Sequence, residues 1–337
     1  MSNKIIRTIC YFAESPNRET VERLNELQKK FEAAGFQVQT IRLATNSADF
    51  KHVRQAMGDE GIRISLGSLP LDVANLILPD FHSFKNINFN IELSKTEITL
   101  DHVQLLLEII KGNAANTFNF TYLFNSVPTP YFPSAIYEQD GFAVGLQPTD
   151  LAEGYKSLDE WLAVLKTTWH EVVELMAGEN NFLGVDSSIA PLFEGKSSLV
   201  NFIKKLGINF PASVTTDIYT RITNWIKSEN PKPYGLNGLM LPCLEDFELA
   251  DEYEKGEFSI ERNIYLSLHS GLGIDTYPVG VDEKPERILE ILKLVQALSN
   301  KYNKPLSARF VSDGKARIGE RTDFQNEYLK DVVVRAL

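Results

Sequence analysis

The sequence predicts an α/β fold built on a parallel sheet, and three observations lead to this prediction. Strand-like and helix-like segments alternate along nearly the whole chain. Each connection is long enough to hold a helix, which is the crossover that parallel strands require. A chain of 337 residues with 43% hydrophobic and 23% charged residues can bury one large core. Periodicity alone leaves a barrel and a doubly wound sheet equally open.

The opening segment predicts a βαβ unit. Residues 4–12 form a β-rich run, and Ser15-Pro-Asn17 offers a cap for the helix that follows. Apolar residues then recur at helical spacing until Gly35, which ends the helix. Residues 36–44 return as a strand. A connection of this length joins parallel strands, so the first two strands are predicted to run in the same direction.

The same alternation continues beyond this unit, interrupted by a proline-rich loop over 125–133. The further predicted helices cover residues 48–58, 71–79, 99–112, 157–178, 197–206, 214–228, 258–270 and 285–302. The further predicted strands cover residues 61–66, 86–93, 117–124, 141–146, 182–189, 236–242 and 305–311. No stretch resembles a flexible linker, so we predict one domain over 1–337, with halves of roughly 1–150 and 151–337.

Charge and hydropathy restrict the partners of the protein. The chain has 34 Lys and Arg against 45 Asp and Glu, for a net charge of −11. Such a surface repels phosphate backbones and anionic lipids, so we expect neither a nucleic-acid nor a membrane partner. The amino terminus lacks the shape of a signal peptide, and we expect a cytoplasmic protein that binds a small molecule and is able to form a homo-oligomer.

Several familiar motifs are present only in part. Gly195-Lys-Ser197 lacks the earlier glycine of a phosphate-binding loop, because Ala190 stands there. Gly271-Leu-Gly273 lacks the third glycine of a dinucleotide-binding turn. His170 and Glu174 lie one helical turn apart but without the second histidine of a zinc protease. We therefore predict no metal site, and the cofactor remains unknown.

Ligand sites of α/β folds gather at the carboxyl ends of strands, and polar residues mark several of these ends. The candidates are Arg42, Asn46, Asn125, Asp186, Asn237, Glu245, Asp246, Asp275 and Arg309. A guanidinium such as Arg309 inside an apolar strand needs either a carboxylate or an anionic ligand. Asp186, Glu245 or Asp275 would be the carboxylate. The alternatives are structural, with Asn125 and Asp275 as turn residues and the pair Glu245 and Asp246 as caps of the following helix.

Four of these stretches, in order along the chain, resemble the domain-of-unknown-function family 711, also called uncharacterised protein family 0210. They are Gly184-Val-Asp-Ser-Ser-Ile-Ala-Pro191, Asn237-Gly-Leu-Met-Leu-Pro-Cys-Leu-Glu-Asp246, Gly273-Ile-Asp-Thr-Tyr-Pro278 and Asn303-Lys-Pro-Leu-Ser-Ala-Arg309. The resemblance extends to Gln39–Asn46 and Asp140–Leu146 and so covers nearly the whole chain.

The resemblance implies a fold similar to pyruvate formate-lyase, a ten-stranded α/β barrel of two halves that run in opposite directions, with the site inside. It implies no activity. Radical chemistry is not expected, because the segment Arg309–Lys315 has neither the spacing nor the tyrosine of a glycyl-radical loop. The chain also departs from the family, with His269 and Ser270 at the place where a cysteine is expected, and with Pro211–Thr216 in place of a glycine-rich turn.

Three functional hypotheses follow. In the first, an enzyme of the lyase or isomerase type holds a small anionic metabolite. Its candidate binding residues are Arg309, Lys315, Asn237, Arg42, Asn46 and Asn125, and its candidate acid–base residues are Glu245, Asp246, Asp186 and Asp275. In the second, the same pocket binds a metabolite without turnover. In the third, the polar interior is an internally paired ion network of a scaffold.

Overall fold

The computed structural model describes residues 4–47, 53, 55 and 61–337, and these form a mixed α/β structure around one ten-stranded sheet. Its strands are β1 (Ile5–Phe12), β2 (Gln37–Val38), β3 (Ile41–Ala44), β4 (Arg63–Ser68), β5 (Ile87–Glu92), β6 (Phe120–Phe124), β7 (Gly141–Leu146), β8 (Phe182–Asp186), β9 (Gly273–Pro278) and β10 (Leu306–Val311). The predicted α/β class is confirmed.

Helices connect most of these strands. They are α1 (Arg18–Ala33), α2 (Leu71–Phe81), α3 (Leu100–Asn113), α4 (Leu158–Leu175), α5 (Leu199–Lys205), α6 (Phe210–Ser213), α7 (Ile218–Glu229), α8 (Phe247–Glu254), α9 (Ile260–His269) and α10 (Pro285–Tyr302). In the part of the chain that the structure describes, no helix is long and apolar enough to cross a membrane. The helix predicted over 48–58 lies outside the described residues.

The first helix shows how the local sequence sets these bounds. The Asn17 side chain accepts a hydrogen bond from the Thr20 amide, and the Thr20 hydroxyl accepts one from the Asn17 amide. This reciprocal cap satisfies amides that the first turn of a helix leaves free. Leu24 and Leu27 are fully buried on one face, against the sheet. Gly35 follows the helix with a φ of 85°, where a side chain would be strained.

The sheet consists of two groups of parallel strands that run in opposite directions. Strands β1, β3, β4, β5 and β6 are parallel to one another, and β7 is parallel to β8 as β9 is to β10. Two antiparallel pairs, β1 with β7 and β6 with β10, join the groups. The order β8-β7-β1-β3-β4-β5-β6-β10-β9 therefore leaves β8 and β9 as the two edges.

The segment over 232–243 lies between these two edges without becoming a strand, so the strand predicted over 236–242 is wrong. Leu239 forms isolated bridges with Ile189 on one side and with Gly271 on the other. Pro242 has no N–H to donate, which interrupts a regular ladder. The sheet is not closed by a continuous ladder, and the predicted barrel is not confirmed.

Strand β9 was not among the strands that the sequence predicts. Glycine and proline at its two ends are residues that strands disfavour. The structure nevertheless requires glycine at the first position. Gly273 has a φ of 110°, and a Cβ there would lie 2.1 Å from the carbonyl oxygen of Ser307 on the neighbouring strand. The same residue type that hides the strand in the sequence therefore lets β9 approach β10 closely.

Candidate functional site

Two adjoining chambers lie inside the fold. A large chamber of about 400 Å³ extends towards Gln37 and Tyr328, and a small chamber of about 60 Å³ extends towards Met240 and Leu272. The residues that line both chambers are Arg7, Arg42, Phe132, Glu245 and Arg309. Four of these five side chains are charged, so the junction between the chambers is the most polar part of the interior.

Arg309, in the middle of β10, is held by two carboxylates. Its Nη2 lies 2.5 Å from Glu245 Oε1, and its Nε lies 2.6 Å from Asp275 Oδ1. Burial lowers the pKa of this guanidinium, but the two carboxylates outweigh burial, so its pKa is raised above the usual value. The structure brings Arg309 to two of its three predicted partners, and the third, Asp186, contacts other groups.

Glu245 connects this group to a second arginine. Its Oε2 lies 3.3 Å from Arg7 Nη2, and Arg7 Nη1 donates to Gln39 Oε1 at 3.2 Å. Burial lowers the pKa of Arg7, and the Glu245 charge counteracts this effect. Glu245 is thus a carboxylate between two guanidinium groups, and it faces both chambers.

Arg42, on β3, differs from both because no carboxylate among the described residues pairs with it. Its Nε donates to Thr40 Oγ1 at 3.0 Å, and its Cζ lies 5.0 Å from the centre of the Phe132 ring. Only 7% of the residue is exposed. Burial, followed by the charges of Arg7 and Arg63, lowers the pKa of Arg42 to about 9. A buried cation in this setting favours a bound anion.

The sequence prediction missed Arg7 and Arg63. Arg63 is the register partner of Arg42 on the next strand, and it lines the large chamber. Together, four arginines and three carboxylates line the two chambers, an excess of positive charge inside a protein with a net charge of −11. The argument applied to Arg309, that an arginine inside an apolar strand needs an anion, would have found Arg7 as well.

In the first group of strands, the arginines that line the chambers do not lie at the carboxyl ends, where the sequence predicts the site. Arg7, Arg42 and Arg63 all lie in the first half of their strands, and their side chains line the interior. Asn46, which follows the end of β3, is exposed and lines neither chamber. Lys315 is likewise exposed and does not approach Arg309. These two candidates are not brought to the site.

Asp246 and Asp186 are fully buried but line neither chamber. Asp246 caps two helices, accepting from the Leu249 amide at 3.3 Å and from the Leu199 amide at 3.0 Å. Burial raises the pKa of Asp246 to about 7. Asp186 accepts from the Thr129 hydroxyl at 2.8 Å, among other donors, and burial raises its pKa too. Both carboxylates organise loops around the site instead of facing it.

Asn125 and Asn237 also act on the backbone, as turn residues with φ values of 50° and 48°. Asn125 Nδ2 donates to Ser299 Oγ at 2.9 Å, which ties the loop after β6 to α10. Asn237 Oδ1 accepts from the Ser187 hydroxyl at 2.6 Å. The structural alternative considered for Asn125 therefore describes its contacts, and neither asparagine lines a chamber.

His269 and Ser270, at the end of α9, lie outside both chambers. His269 Nδ1 and Ser270 Oγ are 2.9 Å apart, and burial followed by the Lys304 charge lowers the pKa of the imidazole. Within the described residues, no three His, Cys, Asp or Glu side chains converge as metal ligands. The polar groups that line the chambers are guanidinium, carboxylate, amide and hydroxyl groups.

Comparison with known proteins gives a family and no activity. The model of the family described as "Uncharacterised ACR (DUF711)" matches residues 71–325. A protein of Pyrobaculum arsenaticum described as "UPF0210 protein" is 25% identical over 162 residues, which are 46% of this chain. The match covers only 36% of the length of that relative. The matched family region contains Glu245, Asp275 and Arg309, whereas Arg7 and Arg42 lie before it.

Proposed function

The chain belongs to the uncharacterised DUF711 family, and from this premise we propose that it binds a small anionic metabolite at the junction of the two chambers, with Arg42 contacting the anion. The observation that carries the proposal is the burial of Arg42 without a carboxylate partner among the residues that the structure describes. Burial of a charge without a counter-charge lowers the stability of the folded protein by roughly several kcal/mol. A bound anion would offset this loss. Arg7 and Arg63 add further positive charge at the same place.

We propose further that the protein is an enzyme without radical chemistry, of the lyase or isomerase type, in which Glu245 moves a proton. Glu245 lines both chambers, so it lies beside any ligand that Arg42 holds. Its Oε2 has only the longer contact of 3.3 Å to Arg7, whereas Oε1 is held at 2.5 Å by Arg309. Oε2 is therefore the oxygen more available to a substrate.

The step would be abstraction of a proton from the carbon next to a carbonyl group. Glu245 Oε2 takes the proton, the C–H bond breaks, and its electron pair moves to the carbonyl oxygen to form an enolate. The guanidinium groups of Arg42 and Arg7 stabilise the added negative charge. Return of the proton to the opposite face of the same carbon inverts its configuration and completes an isomerisation without any other reactant.

We also propose that the nine strands of the order from β8 to β9, which omits the short β2, form a ten-stranded barrel together with the segment over 232–243, similar to that of pyruvate formate-lyase and within one domain over 1–337. The opposite directions of the two strand groups support this architecture. So do hydrogen bonds from the segment to both sides, from Met240 N to Ile189 O and from Leu272 N to Leu239 O, each 2.9 Å. An experimental structure with this segment away from either edge would overturn it.

Binding is tested by calorimetric titration with acetate, succinate and inorganic phosphate at constant ionic strength. We expect at least one of them to bind, and Arg42→Gln to raise its Kd about tenfold to a hundredfold, since a hydrogen bond to a charged group contributes about 1.5–3 kcal/mol. Arg18→Gln is the matched control, because it removes the same charge from the exposed start of α1. Equal Kd values in the wild type and Arg42→Gln would refute the assignment.

Catalysis is tested by proton exchange. The wild type is incubated in D₂O with pyruvate or 2-oxobutanoate, and loss of the C3 proton signals is followed by NMR. We expect Glu245→Gln to slow exchange about 10²–10⁴-fold and to retain binding of the acid. Asp275→Asn is the matched control, since it also removes a carboxylate from Arg309.

A second candidate function, binding without turnover, is favoured by one observation. The carboxylates that line the small chamber, Glu245 and Asp275, both contact Arg309. Tight binding of an acid without any proton exchange in the wild type would establish this alternative. If no anion bound at all, the interior would be an internally paired network, and the scaffold hypothesis would replace both proposals.

A further inference from the structure

The small chamber differs from the large one in the chemistry of its wall. Beyond the five shared residues, the large chamber is lined mainly by polar groups, among them Arg63, Asn88 and Gln39. The small chamber continues instead over an aliphatic wall. The side chains of this wall are Leu236, Met240, Leu241, Pro242 and Leu272. The small chamber also has polar lining residues, among them Asp275 and Ser307, so a ligand that occupies both chambers meets cations at the junction and a mainly aliphatic wall at one end.

We propose that the ligand of this site is a monocarboxylate with a short aliphatic group, whose carboxylate contacts Arg42 and whose aliphatic group occupies the small chamber. This inference rests on the proposed function and adds the substrate class. Its basis is the position of the junction: Phe132 and Glu245 line both chambers, so a molecule held at Arg42 reaches the aliphatic wall past these two side chains.

The size of the small chamber limits the aliphatic group. One water-sized group needs about 10–15 Å³ of such space, and the chamber offers about 60 Å³. It therefore holds roughly four to six non-hydrogen atoms. A butyl or 3-methylbutyl group fits, whereas a fatty acyl chain or a fused ring does not.

The wall supplies the binding energy that a small polar anion lacks. Leu236 and Met240 retain part of their exposure at the chamber surface, unlike the fully buried Leu239 between them. Apolar surface left uncovered in this way favours an aliphatic occupant. Because Glu245 lies at the junction, the carbon atoms next to the carboxylate of the ligand pass beside Glu245 Oε2. This is where the proposed proton transfer would occur.

The test is a titration series of straight and branched carboxylates: acetate, butanoate, pentanoate, 4-methylpentanoate and octanoate. We expect the Kd to fall about fourfold for each added CH₂ group, up to the length that fills the small chamber, and to stop falling at octanoate. Butyl phosphate, which carries the same butyl group as pentanoate, is included to distinguish a phosphate head group from a carboxylate, and tighter binding of butyl phosphate than of pentanoate would overturn the carboxylate assignment.

The variant Met240→Gln tests whether the aliphatic wall of the small chamber contacts the ligand. It keeps the length of the side chain and makes its end polar, so we expect it to weaken pentanoate binding several-fold and to leave the Kd for acetate unchanged. Leu294→Gln makes the same kind of change at a half-exposed position on α10 and serves as the control. Thermal unfolding of each variant verifies that it is folded.

The two proposals fail in different ways. A Kd that is the same for acetate and pentanoate, but rises in Arg42→Gln, would overturn the aliphatic subsite and leave the anion site in place. A chain-length effect as large in Met240→Gln as in the wild type would also overturn the assignment of this wall. Absence of binding by every acid in the wild type would overturn both proposals.

Discussion

Arg309 and Arg42 are both buried arginines on strands of one sheet, yet their surroundings are opposite. Arg309 is 6% exposed and contacts two carboxylates, while Arg42 is 7% exposed and contacts a hydroxyl and an aromatic ring. The pKa is raised above its usual value for Arg309 and lowered to about 9 for Arg42. The first pattern is that of a group neutralised within the fold, and the second is that of a buried charge with no carboxylate partner among the described residues.

The comparison shows which of two equally buried charges to consider for binding. An arginine whose hydrogen-bond donors are occupied by carboxylates is part of the structure, and its loss leaves those carboxylates unpaired. An arginine without a carboxylate lowers the stability of the empty protein and gains from a ligand. The sequence singled out Arg309, and the structure moves the anion-binding proposal to Arg42.

Removal of the paired arginine, Arg309, has the largest expected effect on stability. Arg309→Met leaves Glu245 without its closest cation and Asp275 without its only ion pair among the described residues. We expect a loss of about 3–5 kcal/mol in the free energy of unfolding, because a buried carboxylate is left uncompensated. Urea unfolding measures it, and a variant as stable as the wild type would contradict the pairing. Arg262→Met, at a half-exposed pair, is the control.

The neighbouring carboxylates Glu245 and Asp246 differ in the way that the two arginines differ. Glu245 pairs with arginines, whereas Asp246 accepts from the amides of two helices. Asp246 is buried, and no cation among the described residues pairs with it. Its pKa is about 7 in the folded protein, compared with the ordinary value of 3.8 for an aspartate. The stability that it contributes is complete below about pH 4 and is lost as the pH rises to about 7. This corresponds to a loss on the order of 4 kcal/mol in the free energy of unfolding.

The measurement is urea unfolding of the wild type and Asp246→Asn across this pH range. We expect the stability of the wild type to fall more steeply with pH than that of the variant, whose side chain does not ionise. Asp72→Asn, at an exposed position in the first turn of α2, controls for the loss of one carboxylate. If the free energy of unfolding changed equally with pH in the wild type and in Asp246→Asn, Asp246 would not be a buried carboxyl group with a raised pKa.

The unpaired side of the comparison predicts a gain in stability. Without any added anion, Arg42→Met removes a buried charge that no carboxylate of the described chain neutralises, and we expect it to raise the free energy of unfolding by roughly 1–4 kcal/mol. The same variant loses the stabilisation that a bound carboxylate gives the wild type. A destabilised Arg42→Met protein would indicate that Arg42 has a structural partner after all.

The smallest effect concerns the aromatic rings beside the two arginines. Arg42 lies over Phe132 and Arg309 over Phe118, each at 5.0 Å from the ring centre. Phe132→Leu removes the ring that orients the binding arginine, and we expect a two- to fivefold higher Kd for the carboxylate, from about 0.5–1 kcal/mol of cation–π energy. Phe118→Leu should leave this Kd unchanged. Equal effects in both variants would erase the distinction between the two arginines.

Much of the fold could be predicted from the sequence because its signals are local. Alternating segments, the cap at Asn17 and the stop at Gly35 depend on neighbouring residues, and the structure confirms α1 and the strands on either side of it. The segment over 236–242 and strand β9 were not predicted correctly. Glycine and proline in both stretches obscure the periodicity, and their structure depends on contacts with distant strands.

The candidate site was only partly predictable for a different reason. Glu245, Asp275, Arg309 and Arg42 do line the chambers, but their roles depend on which side chains pair. The partner of Arg309 lies 64 positions away in the sequence, and no spacing rule reveals such a contact. Asp246, next to Glu245, turns to the amides of two helices instead, so adjacent carboxylates with similar sequence signals have different surroundings.

The isolated bridges that join the segment over 232–243 to the chain beside β8 and β9 form a seam, which we expect to open to solvent before the ladders of the sheet do. Ladder hydrogen bonds open together, whereas the amides of Leu239 and Leu272 are held by single bonds at this seam. Such regions lie at the low-stability end of a protein and open without global unfolding. We expect these two amides to exchange with D₂O before those of β1 and β3. The seam adjoins Met240 and the small chamber, so its opening would provide the passage by which a metabolite enters and leaves.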